Sequence, residues 1–169
     1  MHILLTNDDG IRAAGIQALW EELADYAELT VVAPESERSA TSQSITVHDP
    51  IHVEKYGIGS SNIAAWKISG TPTDCVKMAL EALMPEKPDI IVSGINYGPN
   101  LGTDVLYSGT VSAAIEGAMH GIPSLAVSLD TWEKFDYKTA ARITRSIVER
   151  MSQHELPQRT LLNVNIPAM

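Results

Sequence analysis

The chain is nearly devoid of cross-linking sulfur. Its one cysteine, Cys75, excludes an internal disulfide and fits a reducing compartment. Cys75 sits in Thr73-Asp74-Cys75-Val76-Lys77-Met78-Ala79-Leu80, an apparent helix start with no base beside it in sequence, so a buried packing role is expected rather than a nucleophile. Positive charge is also scarce: 12 Lys and Arg stand against 21 Asp and Glu, a net charge of −9. That balance disfavours polymeric nucleic acid and anionic membranes as partners. It leaves room for a small phosphorylated ligand, because a bound cation reverses the local sign. No apolar run reaches transmembrane length. The first residues lack the basic region and cleavage site of a signal peptide, and the expected location is cytoplasmic. His2, His48, His52, His120 and His154 show no His-Glu-x-x-His spacing, so structural roles are expected for all five.

What is present is a chain of 169 residues, enough for one domain with a real core; a single domain over residues 1–169 is expected. Strands are read at Ile3–Thr6, Leu29–Ala33, Asp89–Val92, Ser124–Ser128 and Leu161–Ile166. Helices are read at Ala14–Ala24, Thr73–Leu83, Thr110–His120 and Tyr137–Gln153 from apolar spacing and stop signals. Ile45–Val53 and Ile63–Ile68 read as extended arms of a small hairpin-like excursion around Tyr56-Gly57-Ile58-Gly59-Ser60. Alternating strands and helices predict an α/β fold: a Rossmann-like, mainly parallel sheet with helices on both faces, a three-layer α/β/α arrangement.

The first strand ends in Asn7-Asp8-Asp9-Gly10. Adjacent carboxylates repel, and a divalent cation relieves that by taking both as hard oxygen ligands. The same four residues also suit a plain turn. Three further small-polar segments follow: Glu37-Arg38-Ser39-Ala40-Thr41-Ser42, Ser93 through Gly102, and Tyr107-Ser108-Gly109-Thr110-Val111-Ser112. In a parallel sheet such loops converge on one edge, where doubly wound folds bind ligands. They offer carboxylates, hydroxyls with the cation Arg38, amide oxygens, and a helix N-terminus suited to phosphate; Ser108 also suits a plain N-cap. Together they describe a site for a cation and an anion, most simply a phosphate ester. Tyr97, Tyr107 and Trp132 are candidates for stacking on a base.

These motifs resemble the SurE family, the survival-protein-E nucleotidases. The likeness runs through Leu5-Thr6-Asn7-Asp8-Asp9-Gly10, Val32-Ala33-Pro34 with Glu37-Arg38-Ser39-Ala40, and Ser44-Ile45-Thr46. It continues in Gly70-Thr71-Pro72-Thr73-Asp74-Cys75-Val76, Ser93-Gly94-Ile95-Asn96-Tyr97-Gly98-Pro99-Asn100, Tyr107 through Ala114, and Asn163-Val164-Asn165-Ile166-Pro167. The resemblance implies a metal-dependent 5′-nucleotidase, a phosphomonoesterase acting on nucleoside 5′- and also 3′-monophosphates, with an associated exopolyphosphatase activity. It implies one divalent ion, Mg²⁺ or Mn²⁺, on Asp8, Asp9, Ser39 and Asn96. Asp8 and Asp9 are the expected catalytic residues, and Asn7, Asn96, Ser108, Gly109 and Thr110 the expected substrate contacts.

The resemblance also implies assembly as a homodimer or homotetramer, with a tail beyond the Asn-Val-Asn-Ile-Pro segment that contributes to oligomer contacts and to the active-site region. Because the sequence stops at Met169, weakened self-association and reduced turnover are expected. Three other readings stand beside this one. An aspartyl-nucleophile phosphatase wants Asp-x-Asp, and position 7 is Asn. A phospho-acceptor receiver-like module needs an acceptor Asp and a Lys at later strand ends. A non-catalytic nucleotide-binding module would bind without turnover.

Overall fold

The first buried strand dictates the rest of the layering. In β1 (His2–Thr6) side chains alternate across the sheet. Ile3 and Leu5 pack into one hydrophobic cluster and Leu4 into another, all fully buried. A strand buried on both faces needs helices on both faces. α1 (Ala14–Leu23) and α4 (Tyr137–Met151) pack together on the Ile3/Leu5 side; α2 (Pro72–Met78) and α3 (Gly109–Met119) pack together on the Leu4 side. The structure, a computed structural model, describes residues 1–59, 63–133 and 136–167.

The remaining strands are β2 (Glu28–Pro34), β3 (Val53–Lys55), β4 (Ile63–Ile68), β5 (Ile90–Tyr97), β6 (Ser124–Asp130) and β7 (Leu161–Pro167). They form one sheet in the order β3-β4-β2-β1-β5-β6-β7, parallel throughout except for the β3–β4 pair. Counting only the parallel strands, this is the doubly wound order 3-2-1-4-5-6. The strand order reverses between the parallel neighbours β1 and β5, and the crevice outside their carboxyl ends is where such sheets take ligands.

The expected α/β three-layer architecture is therefore the observed one. Three local readings change. The helix over Thr73–Leu83 begins as α2, where Thr71 and Asp74 form a reciprocal capping box behind Pro72, but Ala79–Leu83 continues as a π-helical turn. The arm expected over Ile45–Val53 is a strand only from Val53. Upstream, Ile45 and Val47 are exposed, and the backbone of Thr46 donates to Asp74 rather than to a neighbouring strand. β3 and β4 do pair antiparallel, as a hairpin-like excursion requires, while its Ser60 end lies outside the described residues.

The third change positions the site. Ser93-Gly94-Ile95-Asn96 reads as loop, yet β5 runs on to Tyr97. Its register against β6 shifts, with Ser93 opposite Ala126 and Asn96 opposite Ser128. The bulge inserts one extra residue on β5 and re-aims the side chains beyond it. Pairing with β6 compensates the backbone of a glycine-containing segment that propensity alone rejects. Among the described residues no helix is long and apolar enough to cross a membrane.

Candidate functional site at the carboxyl edge of the sheet

Asn7 explains how two carboxylates come to lie side by side. Its amide nitrogen donates to the Gly10 carbonyl at 3.0 Å and its amide oxygen accepts from the Gly10 N–H at 3.2 Å. This closed loop of bonds fixes the turn after β1 and leaves Asn7 fully buried. Both ends of the amide are thus engaged with the turn. Burial and bonding thus withhold Asn7, an expected substrate contact, from the cavity.

The turn delivers Asp8 and Asp9 to a cavity of about 440 Å³ that also includes Ser39, Asn96, Tyr97, Asn100, Tyr107, Ser108 and Trp132. That size falls in the small-molecule range of roughly 300–1,000 Å³. Burial raises the Asp8 carboxyl above its ordinary value, against the opposing pull of hydrogen bonds from the Thr110 hydroxyl, its own backbone and the Thr110 backbone; Glu37 adds repulsion. Burial, then the charge of Asp8, pushes Asp9 up to about 7. Among the described residues neither carboxylate has an ion-pair partner.

Thr110 is fully buried, and its hydroxyl donates to Asp8 Oδ1 at 2.5 Å. Its side chain is thereby committed to holding the carboxylate. Gly109 makes that approach feasible: a Cβ there would sit 2.8 Å from the Asp8 Cβ and 2.9 Å from Oδ2. Neither Gly109 nor Thr110 lines the cavity, whereas Ser108 does. Ser108 caps α3 by accepting from the Val111 N–H at 3.1 Å, which uses a lone pair and leaves its proton to donate.

Ser39 donates to Glu37 at 2.6 Å, so its oxygen keeps lone pairs for a ligand. The amide nitrogen of Asn96 donates to the carbonyls of Gly98 at 2.8 Å and Tyr97 at 3.3 Å, which fixes which end of that amide is nitrogen and reserves the oxygen as an acceptor. Arg38 departs from expectation. Its backbone N–H donates to the Asp8 carbonyl at 2.7 Å, and its guanidinium donates to the Ser69 carbonyl at 2.8 Å. It braces the loop and does not line the cavity.

Sequence reasoning gave β7 no mechanical role. The backbone of Asn100 donates to Asn165 Oδ1 at 2.8 Å, and its carbonyl accepts from the amides of Asn163 and Asn165. The signal was legible as Asn-x-Asn, two side chains on one strand face. For a receiver-like module the relevant strand ends are Tyr97 and Asp130; Asp130 is exposed and does not line the cavity. Cys75 is buried as expected, and burial pushes its thiol up. His2 contacts Thr30, His120 contacts Glu116, and His154 contacts the Arg150 carbonyl.

Comparison with known proteins agrees with this layout. The chain is 56% identical over 167 residues to the 5′-nucleotidase SurE of Heliobacterium modesticaldum, covering 99% of this chain and 61% of the relative. It is 52% identical over 170 residues to the 5′-nucleotidase SurE of Desulforudis audaxviator, covering 99% and 66%. The chain thus spans less than two thirds of the length of these curated relatives. The crystal structure of the SurE protein from Aquifex aeolicus matches with a TM-score of 0.91 at 40% identity, over all of this chain and 67% of that one. The family model described as Survival protein SurE matches residues 3–169, a span that takes in every strand and helix from Ile3 onward, and on that match the chain belongs to the Survival protein SurE family.

Proposed function

We propose that this chain is a metal-dependent phosphomonoesterase that hydrolyses nucleoside 5′-monophosphates, and also 3′-monophosphates and short polyphosphate, to release phosphate. The carrying observation is the adjacent Asp8–Asp9 pair, Asp8 buried and Asp9 half-buried, with no cation partner among the described residues, in one cavity with Ser39, Asn96 and Ser108. The curated relatives named 5′-nucleotidase SurE support the same reading.

The donor set fits a hard divalent ion. Among the described residues no group of three or more His, Cys, Asp or Glu side chains gathers to hold a metal, so Asp8 and Asp9 need neutral oxygens beside them. Ser39 and Asn96 supply those, a combination suited to Mg²⁺ or Mn²⁺ and not to a thiophilic ion. When bound, the ion neutralises phosphoryl charge and lowers the pKa of a coordinated water.

The chain's own residues do the rest. Thr110 holds Asp8 in one orientation through Oδ1. Asp9, which is less buried than Asp8 and has no such restraint from Thr110, orients the attacking water. Ser108 donates its hydroxyl proton to a phosphoryl oxygen, and Gly109 lets α3 approach closely enough to place it. Preorganised donors of this kind stabilise charge as it develops in the transition state. The reading also takes residues 1–169 as a single domain, a cytoplasmic location, and self-association as a homodimer or homotetramer.

The test is phosphate release from a panel of 5′- and 3′-nucleotides with Mg²⁺, with Mn²⁺ and with chelator. Metal-restored release supports the proposal. Binding of nucleotide with no release under any metal would replace it with a non-catalytic binding module.

A further inference from the structure

The rim of the cavity holds aromatic rings that phosphate chemistry does not require. Tyr97, Tyr107 and Trp132 all line it, and they are 42%, 61% and 71% exposed. Leu101 and Leu106, on the same stretch of chain as the two tyrosines, are also exposed. A concentration of exposed apolar side chains beside a polar cavity marks a contact surface, whereas scattered ones carry no such meaning.

Trp132 is also held in place. The Tyr97 hydroxyl donates to the Trp132 carbonyl at 2.5 Å. The two rings meet edge to face, with centroids 5.9 Å apart and planes at 87°. Gly98, at φ +96°, lies against the indole, and a Cβ there would collide with the ring. The site thus uses a glycine to admit the indole and a hydroxyl to anchor its backbone. Fixing a side chain costs rotamer entropy that burial normally offsets; here most of the indole remains in water. A ligand that covers it supplies the missing compensation.

Charge selects which part of a ligand goes where. Asp8, Asp9, Glu37 and Asp104 line the cavity, so an anionic phosphate belongs only at the cation that Asp8 and Asp9 would hold. The uncharged end of the same molecule is left for the aromatic rim.

We propose that Trp132, set by Tyr97 and Gly98, is the shelf on which the base of a nucleoside monophosphate stacks while its phosphate occupies the carboxylate end of the cavity. The inference rests on the phosphomonoesterase reading and adds the nucleoside subsite. Stacking tolerates every base because each has a π-face, and it grows with ring area. The subsite therefore favours purines over pyrimidines without strict base selection.

The experiment compares AMP with ribose 5-phosphate, which carries the same phosphate and no base, in the native chain, Trp132→Ala and Trp132→Phe. The ratio of kcat/KM for AMP to that for ribose 5-phosphate falls about ten-fold or more in Trp132→Ala, as expected for loss of one stacking contact, and far less in Trp132→Phe. Using a ratio within each variant cancels any loss of folded protein.

A second readout avoids turnover and metal. Trp20 is buried and Trp66 is half-buried, so adenosine quenches the native emission through Trp132, ribose does not, and Trp132→Phe abolishes the quench. If no ester is cleaved but adenosine still quenches Trp132, the hydrolase reading fails and the shelf stands. If esters are cleaved while Trp132→Ala keeps the native ratio and adenosine does not quench, the shelf is overturned and the hydrolase reading stands.

Discussion

The two ends of the sheet both carry cavities, and the larger of these two is at the end away from the Asp8–Asp9 turn. At the amino edge a cavity of about 540 Å³ lies among Met1, Asp89, Ile90, Pro123 and Met151. Asp89, which lines it just before β5, accepts from the His2 N–H at 2.7 Å, while the Asp89 N–H returns to the His2 carbonyl at 2.8 Å. At the carboxyl edge the cavity is about 440 Å³, and Asp8 and Asp9 line it with no ion-pair partner among the described residues. Among the described residues, the buried polar side-chain atoms that lack a partner, on Thr6, Arg38, Thr73 and Ser93, also belong to this end. Thr6 and Ser93 are register partners on β1 and β5, the strands that flank the reversal. Volume measures where chains part; uncompensated charge and unpaired polar groups measure where a ligand is needed.

The sharpest break in this comparison comes from removing the ion. Chelation abolishes phosphate release, by at least about a hundred-fold given what a polarising cation contributes to transition-state charge, and Mg²⁺ or Mn²⁺ restores it. Full turnover in chelator, with metal content measured as nil, would leave the carboxyl edge no more special than the amino edge. The same ion should raise the melting temperature, because a ligand bound only by the folded state adds RT ln(1 + [L]/Kd).

Next come the carboxylates. Asp8→Asn and Asp9→Asn each weaken the ion's affinity at least about ten-fold, or ~1.4 kcal/mol, as measured by calorimetry. Neither change opens a hydrophobic cavity, so circular dichroism stays native. Native affinity in both variants would refute the assignment of these residues as ligands.

Thr110 gives a smaller effect with a finer reading. Thr110→Val removes the hydroxyl and keeps the volume, leaving Asp8 Oδ1 without its 2.5 Å donor. Partners that orient a ligand from behind typically carry about 10- to 100-fold in metal affinity or activity. Thr110→Ser, which restores the hydroxyl, should recover most of that loss. If serine and valine behave alike, the contact serves packing and not orientation of Asp8.

Much of this architecture was readable from residues alone, for identifiable reasons. β4 was bounded correctly at Ile63–Ile68, and the strand–helix alternation carried the parallel sheet, because apolar periodicity is local and strong. Asp8, Asp9, Ser39, Asn96 and Ser108 come together because chain order fixes which loops share an edge. What failed depended on partners distant in sequence. The extension of β5 through Gly94 rests on pairing with β6, which no local propensity reveals. The hydroxyl of Thr110 turns toward Asp8, 102 residues away. Arg38 offered a charge in sequence, but the Ser69 carbonyl claims its guanidinium. The bonds of Asn163 and Asn165 to Asn100 required knowing that β7 lies beside β6.

The amino edge supplies the smallest effect and the control that gives the others meaning. Asp89→Asn keeps the shape of the side chain and an oxygen able to accept from the His2 N–H, but removes the formal charge. Asp89 is exposed, so water screens most of that change, and the net worth of one such hydrogen bond is about 1 kcal/mol or less. Chemical denaturation should therefore show a small loss of stability with an unchanged slope. Asp89 lies at the amino end of the sheet, across from the Asp8–Asp9 turn, and touches neither the cavity there nor the loops that build it. Turnover per folded molecule should stay within about two-fold of native, since surface changes away from special features are nearly neutral. A loss of kcat comparable to that in Thr110→Val would mean that the two edges are coupled through β1 and β5. The larger cavity would then be part of the working site.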